Sequence, residues 1–173
     1  PANPEQPAGA TYNATPEQYE QAVEGAIAGF ERMRRLSSLE RSRALHHVEN
    51  GLRARREAIA RIITSESGKP IKDALAEVDR AILTFKLGAE EAERITGETI
   101  PLDLNPASKG RIGITRRFPI GPVAAISPFN FPLNLAAHKI APALAAGCSI
   151  VLKPPSRDPL TMLAVAEIID EAG

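Results

Sequence analysis

Gly121-Pro122-Val123-Ala124-Ala125-Ile126-Ser127-Pro128-Phe129-Asn130-Phe131-Pro132 is a short apolar run that ends in a proline-framed polar loop. Val123 to Ile126 has the composition of a parallel strand covered on both faces. Pro128 and Pro132 each remove a backbone donor and disfavour helix at the preceding residue, so the loop between them is stiff. Asn130 is thereby expected at the carboxyl end of a strand, where open α/β sheets place their ligands. Its amide has two donors and one acceptor oxygen. Held rigidly, such a donor can stabilise a developing oxyanion.

Working outward, Leu133 to Ala146 is an alanine-rich helical stretch with Pro142 inside it, closed by Gly147. Cys148 to Lys153 repeats the buried-strand pattern, and Asp158-Pro159 is a cap-plus-proline start for a helix to Glu171. Strand, helix, strand, helix defines a βαβ unit with parallel strands and a right-handed connection. Its two strand ends face one crevice, so Lys153 and Ser156 join Asn130 there. Lys153 is a cation aimed at a hydroxyl or phosphate. Neither G-x-G-x-x-G nor a phosphate-binding G-x-x-x-x-G-K-[ST] occurs. These residues by themselves lead to a nucleotide-like ligand on half of a doubly wound sheet.

Upstream, Thr15-Pro16-Glu17 starts a helix, with Tyr19, Val23, Ala26, Ile27 and Phe30 at core spacing. Ser37 and Glu40 form a capping box opening a helix through Leu45, Val48 and Leu52, which Gly51 interrupts or ends. Ile59, Ile62 and Ile63 belong to a further helical pattern. Gly68 suits its left-handed cap, and Pro70 stops it. Leu75, Val78, Ile82 and Phe85 line a long helix ending near Gly97. Residues 1–14 are expected to be irregular. Thr99 to Leu102 and Gly110 to Arg117 form two short strands joined by a polar loop, a ribbon that needs a partner surface.

The 173 residues carry 21 basic and 21 acidic side chains. Zero net charge argues against general attraction to nucleic acid or acidic membranes. Four arginines between Arg53 and Arg61 are expected on a solvated helix face. His46 and His47 point about 100° apart on a helix and make a poor metal pair. The lone Cys148 excludes an internal disulfide framework, and a reducing cytoplasm is the expected compartment. No apolar run approaches the roughly 20 residues of a membrane span. The proline start and the abrupt stop at Gly173 suggest part of a longer chain.

Ile126-Ser127-Pro128-Phe129-Asn130-Phe131-Pro132, Lys139 to Cys148 and Val151-Leu152-Lys153-Pro154-Pro155-Ser156 together resemble the NAD(P)-dependent aldehyde dehydrogenase superfamily. Glu66-Ser67-Gly68-Lys69-Pro70 resembles its upstream E-x-G-K-P landmark, and the 23 residues from Asn130 to Lys153 match its spacing. The resemblance covers about residues 15 to 173. It implies that Asn130 is the catalytic asparagine that steadies a thiohemiacetal oxyanion. Ile126, Ser127, Pro128 and Phe129 would line the cofactor cleft, and Lys153 would bind the adenosine ribose.

The implied architecture is α/β: an N-terminal helical part of the cofactor domain (1–100), an oligomerisation ribbon (101–119), and the first βαβ part of a Rossmann-like doubly wound sheet (120–173). The catalytic domain, with its cysteine nucleophile and glutamate base, is expected in a later segment. Cys148, at the start of a buried strand, is expected to be a small hydrophobe. A segment without the nucleophile is expected to be inactive alone. An aldehyde substrate and a homodimer or homotetramer follow for the complete protein. Two departures matter. Phe129 stands where tryptophan is frequent, and Ser156 stands where NAD-preferring members often have glutamate. A carboxylate there would repel a 2′-phosphate, so serine leaves NAD or NADP open and tilts the expectation toward NADP. A coenzyme A-acylating enzyme and a non-catalytic relative are the alternatives.

Overall fold

The computed structural model describes Glu5 and residues 7–173; residues 1–4 and 6, part of the expected irregular start, lie outside the described residues. Local sequence sets the helix starts. Helix α1 (Pro16–Met33) begins with a Thr15/Gln18 capping box. Helix α2 (Ser38–Ala54) begins with the Ser37/Glu40 box, in which Glu40 accepts from the Ser37 amide at 2.7 Å. Helix α3 (Arg56–Ser67) ends at Gly68 with φ 76°, the left-handed conformation that costs glycine least. Pro70 then precedes α4 (Ile71–Arg94), which stops three residues short of Gly97.

Gly51 does not interrupt α2. A Cβ there would lie 2.3 Å from the Ile168 side chain, so this glycine lets another helix approach. That helix is α6 (Leu160–Asp170). Leu45, Val48 and Leu52 of α2 meet Val78, Ile82 and Phe85 of α4, with Ile59 and Ile63 of α3 beside them. Phe85, Leu45, Leu52 and Ile63 are fully buried. Each such side chain contributes roughly 1.5–3 kcal/mol of hydrophobic stabilisation. The arginine run is a solvated face, as its pattern implied. Arg53 pairs with Glu49, Arg55 with Glu171, and Arg56 with Asp79. The two Arg56–Asp79 bonds, 2.6 and 2.7 Å, tie α3 to α4 and hold the Asp79 carboxyl below its usual range.

Strands β1 (Thr99–Pro101) and β2 (Ile112–Ile114) pair antiparallel, shorter than their sequence pattern proposed, and Pro106–Ser108 makes a 3-10 turn between them. Strands β3 (Val123–Ile126) and β4 (Ile150–Lys153) pair parallel, with Val123 opposite Ile150 and Ile126 opposite Lys153. Helix α5 (Asn134–Ala145) connects them and carries Pro142 in its last turn. The described residues are thus mostly helical with two small two-stranded sheets, one antiparallel and one parallel.

Three burial expectations fail, one of them at β4, where Ile150, Val151 and Leu152 are only half-buried and Lys153 is exposed. Strand β3 is not covered on both faces, because Ala124 and Ile126 are exposed, Ile126 at 72%. Alternate residues of a strand face opposite ways, and among the described residues one face of β3 meets the helices. On α1, Tyr19 and Ile27 are also exposed; that helix buries Ala26 near β4, where the Ser149 hydroxyl donates to the Ala26 carbonyl at 2.6 Å. Both surfaces are apolar, and among the described residues nothing covers them.

Candidate active site

The parallel register brings the two loops after β3 and β4 to one edge. The Ser127 amide donates to the Lys153 carbonyl at 3.1 Å, extending the ladder one residue beyond the strands. Ser127 is buried, whereas Ile126, Pro128, Phe129 and Asn130 are exposed around it. From the β4 side, Lys153 Nζ donates to Ser156 Oγ at 2.6 Å, so these two exposed residues form one polar unit. Arg157 stacks on the Phe129 ring, 4.8 Å from its centroid. That contact joins the two loops directly.

A cleft of about 610 Å³ opens at this edge, lined by Phe129, Asn130, Arg157 and Asp158 from the loops, by Glu66 of α3 and by Lys69 of the α3–α4 turn. A second cavity of about 430 Å³ beside β4 and α6 is almost wholly apolar, and its Ser149 hydroxyl is already bonded to Ala26. Convergent polar groups are what orient a reacting ligand. The first cleft has them and the second does not.

Two buried carboxylates hold the elements around the cleft, Glu66 in its lining and Glu77 behind it. Glu77 of α4, with no exposed surface, accepts from the Leu133 and Asn134 amides at 3.0 and 3.1 Å. Glu66 of α3 accepts from the Leu160 and Thr161 amides at 2.8 and 2.9 Å, and from the Thr161 hydroxyl. Each carboxylate satisfies orphan amides at the start of the helix following a strand, where a negative charge also complements the helix dipole. Lys69 lies between them, paired with Glu77 and donating to the Asn130 carbonyl at 3.1 Å. The Phe131 ring has Lys69 Nζ 4.3 Å and the Arg80 guanidinium 4.7 Å from its centroid.

Asp158 does not cap α6 as its position before Pro159 implied. The helix has no side-chain cap from its own segment, because Glu66 occupies that role from across the fold. Asp158 is instead 2% exposed, and its Oδ1 has no hydrogen-bond partner among the described residues. Burial, followed by repulsion from Glu66 and Glu77, pushes its carboxyl up to about 6.

Cys148 is buried at 3% exposure, bonded through its amide to the Ala143 carbonyl, and sits two residues before β4. It is away from the cleft lining. His46 bonds Glu49 at 2.8 Å and His47 is exposed. Among the described residues no cluster of three acidic, histidine or cysteine side chains is arranged for a metal ion, and no helix is long and apolar enough to cross a membrane.

A helical layer carries a βαβ edge at which the Asn130 loop and the Lys153–Ser156 pair leave adjacent parallel strands, and Lys153 and Ser156 do not line the cleft that Asn130 borders. The match is specific: the aldehyde dehydrogenase family model covers residues 1–173, and the chain belongs to that family. It is 42% identical over 169 residues to 3-sulfolactaldehyde dehydrogenase of Priestia aryabhattai, covering 98% of this chain and 35% of the relative. Among solved structures, aldehyde dehydrogenase 21 of Physcomitrella patens, in complex with the reaction product succinate, superposes with a TM-score of 0.88 at 50% identity, covering 92% of this chain and 33% of that one. The glyceraldehyde-3-phosphate dehydrogenase of Methanocaldococcus jannaschii complexed with NADP gives 0.88 at 41%, covering 94% and 34%. A betaine aldehyde dehydrogenase of Staphylococcus aureus in complex with NAD+ gives 0.87 at 32%, covering 94% and 32%. The chain therefore spans about a third of the length of the relatives it matches, and it corresponds to their N-terminal part.

Proposed function

We propose that this chain is the cofactor-side segment of an enzyme oxidising an aldehyde to a carboxylic acid with NAD(P)+. The observation that carries the reading is the shared edge: Asn130 and the Lys153–Ser156 pair leave adjacent parallel strands tied by the Ser127–Lys153 bond. In the complete protein a cysteine thiolate from another segment adds to the aldehyde carbonyl, forming a thiohemiacetal. The Asn130 amide donates to the oxygen as it gains charge, which in a dry site is a large stabilisation. Loss of a hydride from the thiohemiacetal carbon to the nicotinamide cofactor would leave a thioester, which water activated by a glutamate outside this segment would hydrolyse to the acid, freeing the cysteine thiolate. Covalent attachment divides one hard step into two easier ones.

The residues fit a nicotinamide dinucleotide. Lys153 Nζ and Ser156 Oγ form an exposed donor pair at a strand end, suited to ribose hydroxyls, and Ile126, Pro128 and Phe129 are exposed at the end of the neighbouring strand, with Ser127 buried between them. When bound, that cofactor supplies the hydride acceptor. Ser156 presents a hydroxyl and no carboxylate, so it accommodates a 2′-phosphate and the assignment leans to NADP over NAD.

The substrate class that fits is a small aldehyde with an anionic end. Lys69, Arg80 and Arg157 crowd the aromatic rings flanking Asn130, and Arg80 and Arg157 have no ion pair among the described residues. The relatives are in keeping: one is named for 3-sulfolactaldehyde, one was solved with succinate, and one is a glyceraldehyde-3-phosphate dehydrogenase. Residues 101–119 serve as a subunit contact in a homodimer or homotetramer, since Leu104, Ile112, Ile114 and Phe118 expose apolar surface that a monomer would leave wet.

The experiment is to follow NAD(P)H absorbance for the complete protein with neutral and anionic short aldehydes. Turnover is expected, with higher kcat/KM for the anionic set and a decline as salt rises. No rate with either cofactor would overturn the enzyme assignment. Equal kcat/KM for both sets would overturn the substrate class alone.

A further inference from the structure

The loop that presents Asn130 is held at several points by one ion pair. Lys69 Nζ donates to the Asn130 carbonyl at 3.1 Å and lies 4.3 Å from the Phe131 centroid. The same ammonium pairs with Glu77, whose other oxygen accepts from the Leu133 and Asn134 amides. Residues 130, 131, 133 and 134 are thus all fixed to a Lys69–Glu77 unit outside the βαβ segment. The pair is shielded: the Glu77 side chain is fully buried and the Lys69 side chain is 16% exposed. A desolvated pair of this kind holds its geometry more strongly than a surface one. Among the described residues the Asn130 side chain makes no hydrogen bond, so its direction follows from its backbone.

We propose that Lys69 is a positioning residue for the oxyanion-binding amide of Asn130, acting through the Asn130 carbonyl and the Phe131 ring. The inference rests on the catalytic reading of Asn130 given above. It assigns a task to the lysine of the Glu66–Pro70 landmark. That task is orientation of a donor whose displacement by about 1 Å is enough to cost on the order of 100-fold in rate.

Replacing Lys69 alone would strand a buried carboxylate, so the informative variant is Lys69→Met combined with Glu77→Gln. The glutamine oxygen still accepts from the helix amides. It is assayed in the complete enzyme alongside Asn130→Ala and the triple combination. The expected result is a kcat loss of about 10- to 100-fold, cofactor Kd unchanged within about twofold, and no additional loss when Asn130 is already alanine. A kcat within twofold of the parent, or losses that multiply in the triple variant, would overturn the proposal. If the neutral pair does not fold, Lys69→Arg keeps a cation for Glu77 and carries the same cycle, because its guanidinium has a different reach and shape. The underlying reading fails separately: Asn130→Ala with undiminished kcat removes the role of Asn130 itself.

Discussion

Glu66 links two helices that are 94 residues apart in the chain, and its replacement gives a quantitative forecast. In Glu66→Ala, the Leu160 amide, the Thr161 amide and the Thr161 hydroxyl all lose their acceptor. An unsatisfied buried donor costs about 1–3 kcal/mol. Glu66 borders the open cleft, so water reaches the vacated space and the low end applies, about 3 kcal/mol for three groups. Removing the charge also relieves Asp158, whose repulsion from Glu66 is the second cause of its raised pKa after burial. That relief returns about 1 kcal/mol. The net loss is therefore about 2 kcal/mol, or a Tm lower by roughly 4–8 °C for a chain of this size. Glu66→Gln keeps one acceptor and should lose about half as much. Urea unfolding at pH 7.5 measures both, with an unchanged m-value showing that stability alone has moved. An NMR titration of Asp158 should show its pKa below the parent value in both variants. A Glu66→Ala chain as stable as the parent would refute the argument that this carboxylate holds the start of α6.

Asp158→Asn is expected to stabilise the fold at neutral pH. The folded carboxyl titrates near 6 against an ordinary 3.8, so between those values the native state binds more protons than the unfolded one. Stability contributed by this group therefore falls as pH rises from about 4 to 6, and the asparagine variant should lack that slope and gain about 1 kcal/mol at pH 7.5. Identical pH–stability curves would contradict it. Ser156→Glu in the complete enzyme should move the NADP/NAD ratio of kcat/KM toward NAD by tenfold or more, since a carboxylate beside Lys153 repels a 2′-phosphate. An unchanged ratio would remove Ser156 from cofactor selection.

Much of the edge that carries Asn130, Lys153 and Ser156 is legible because it is local in sequence. A four-residue apolar strand, two prolines and an asparagine fix the β3 loop, and the second strand end places Lys153 beside Ser156. The helix starts at Thr15 and Ser37 were readable for the same reason, since a cap and its partner lie three residues apart. What escaped is what closes over long separations. Glu77 reaches amides 56 residues away and Glu66 reaches 94. One signal for Glu77 existed: it falls beside Ala74, Val78 and Ala81, a charge inside an apolar helical stripe. Such a charge needs a buried partner. Asp158 was misassigned because the aspartate-before-proline pattern describes a cap, and a local rule has no view of a competing carboxylate from α3. The exposure of Ile126, Tyr19 and Ile27 follows from the same limit. Periodicity marks which face is apolar, while the surface that covers it is a matter of tertiary structure.

In the proposed reaction the β3 loop delivers a side-chain amide to a carbonyl oxygen that becomes negative during turnover. The most direct measurement is kcat for Asn130→Ala in the complete enzyme, with cofactor Kd measured in parallel. Loss of one oxyanion donor should lower kcat by about 100- to 1000-fold while the Kd stays within about twofold. A kcat within a few-fold of the parent, with the cofactor still bound normally, would contradict the claim.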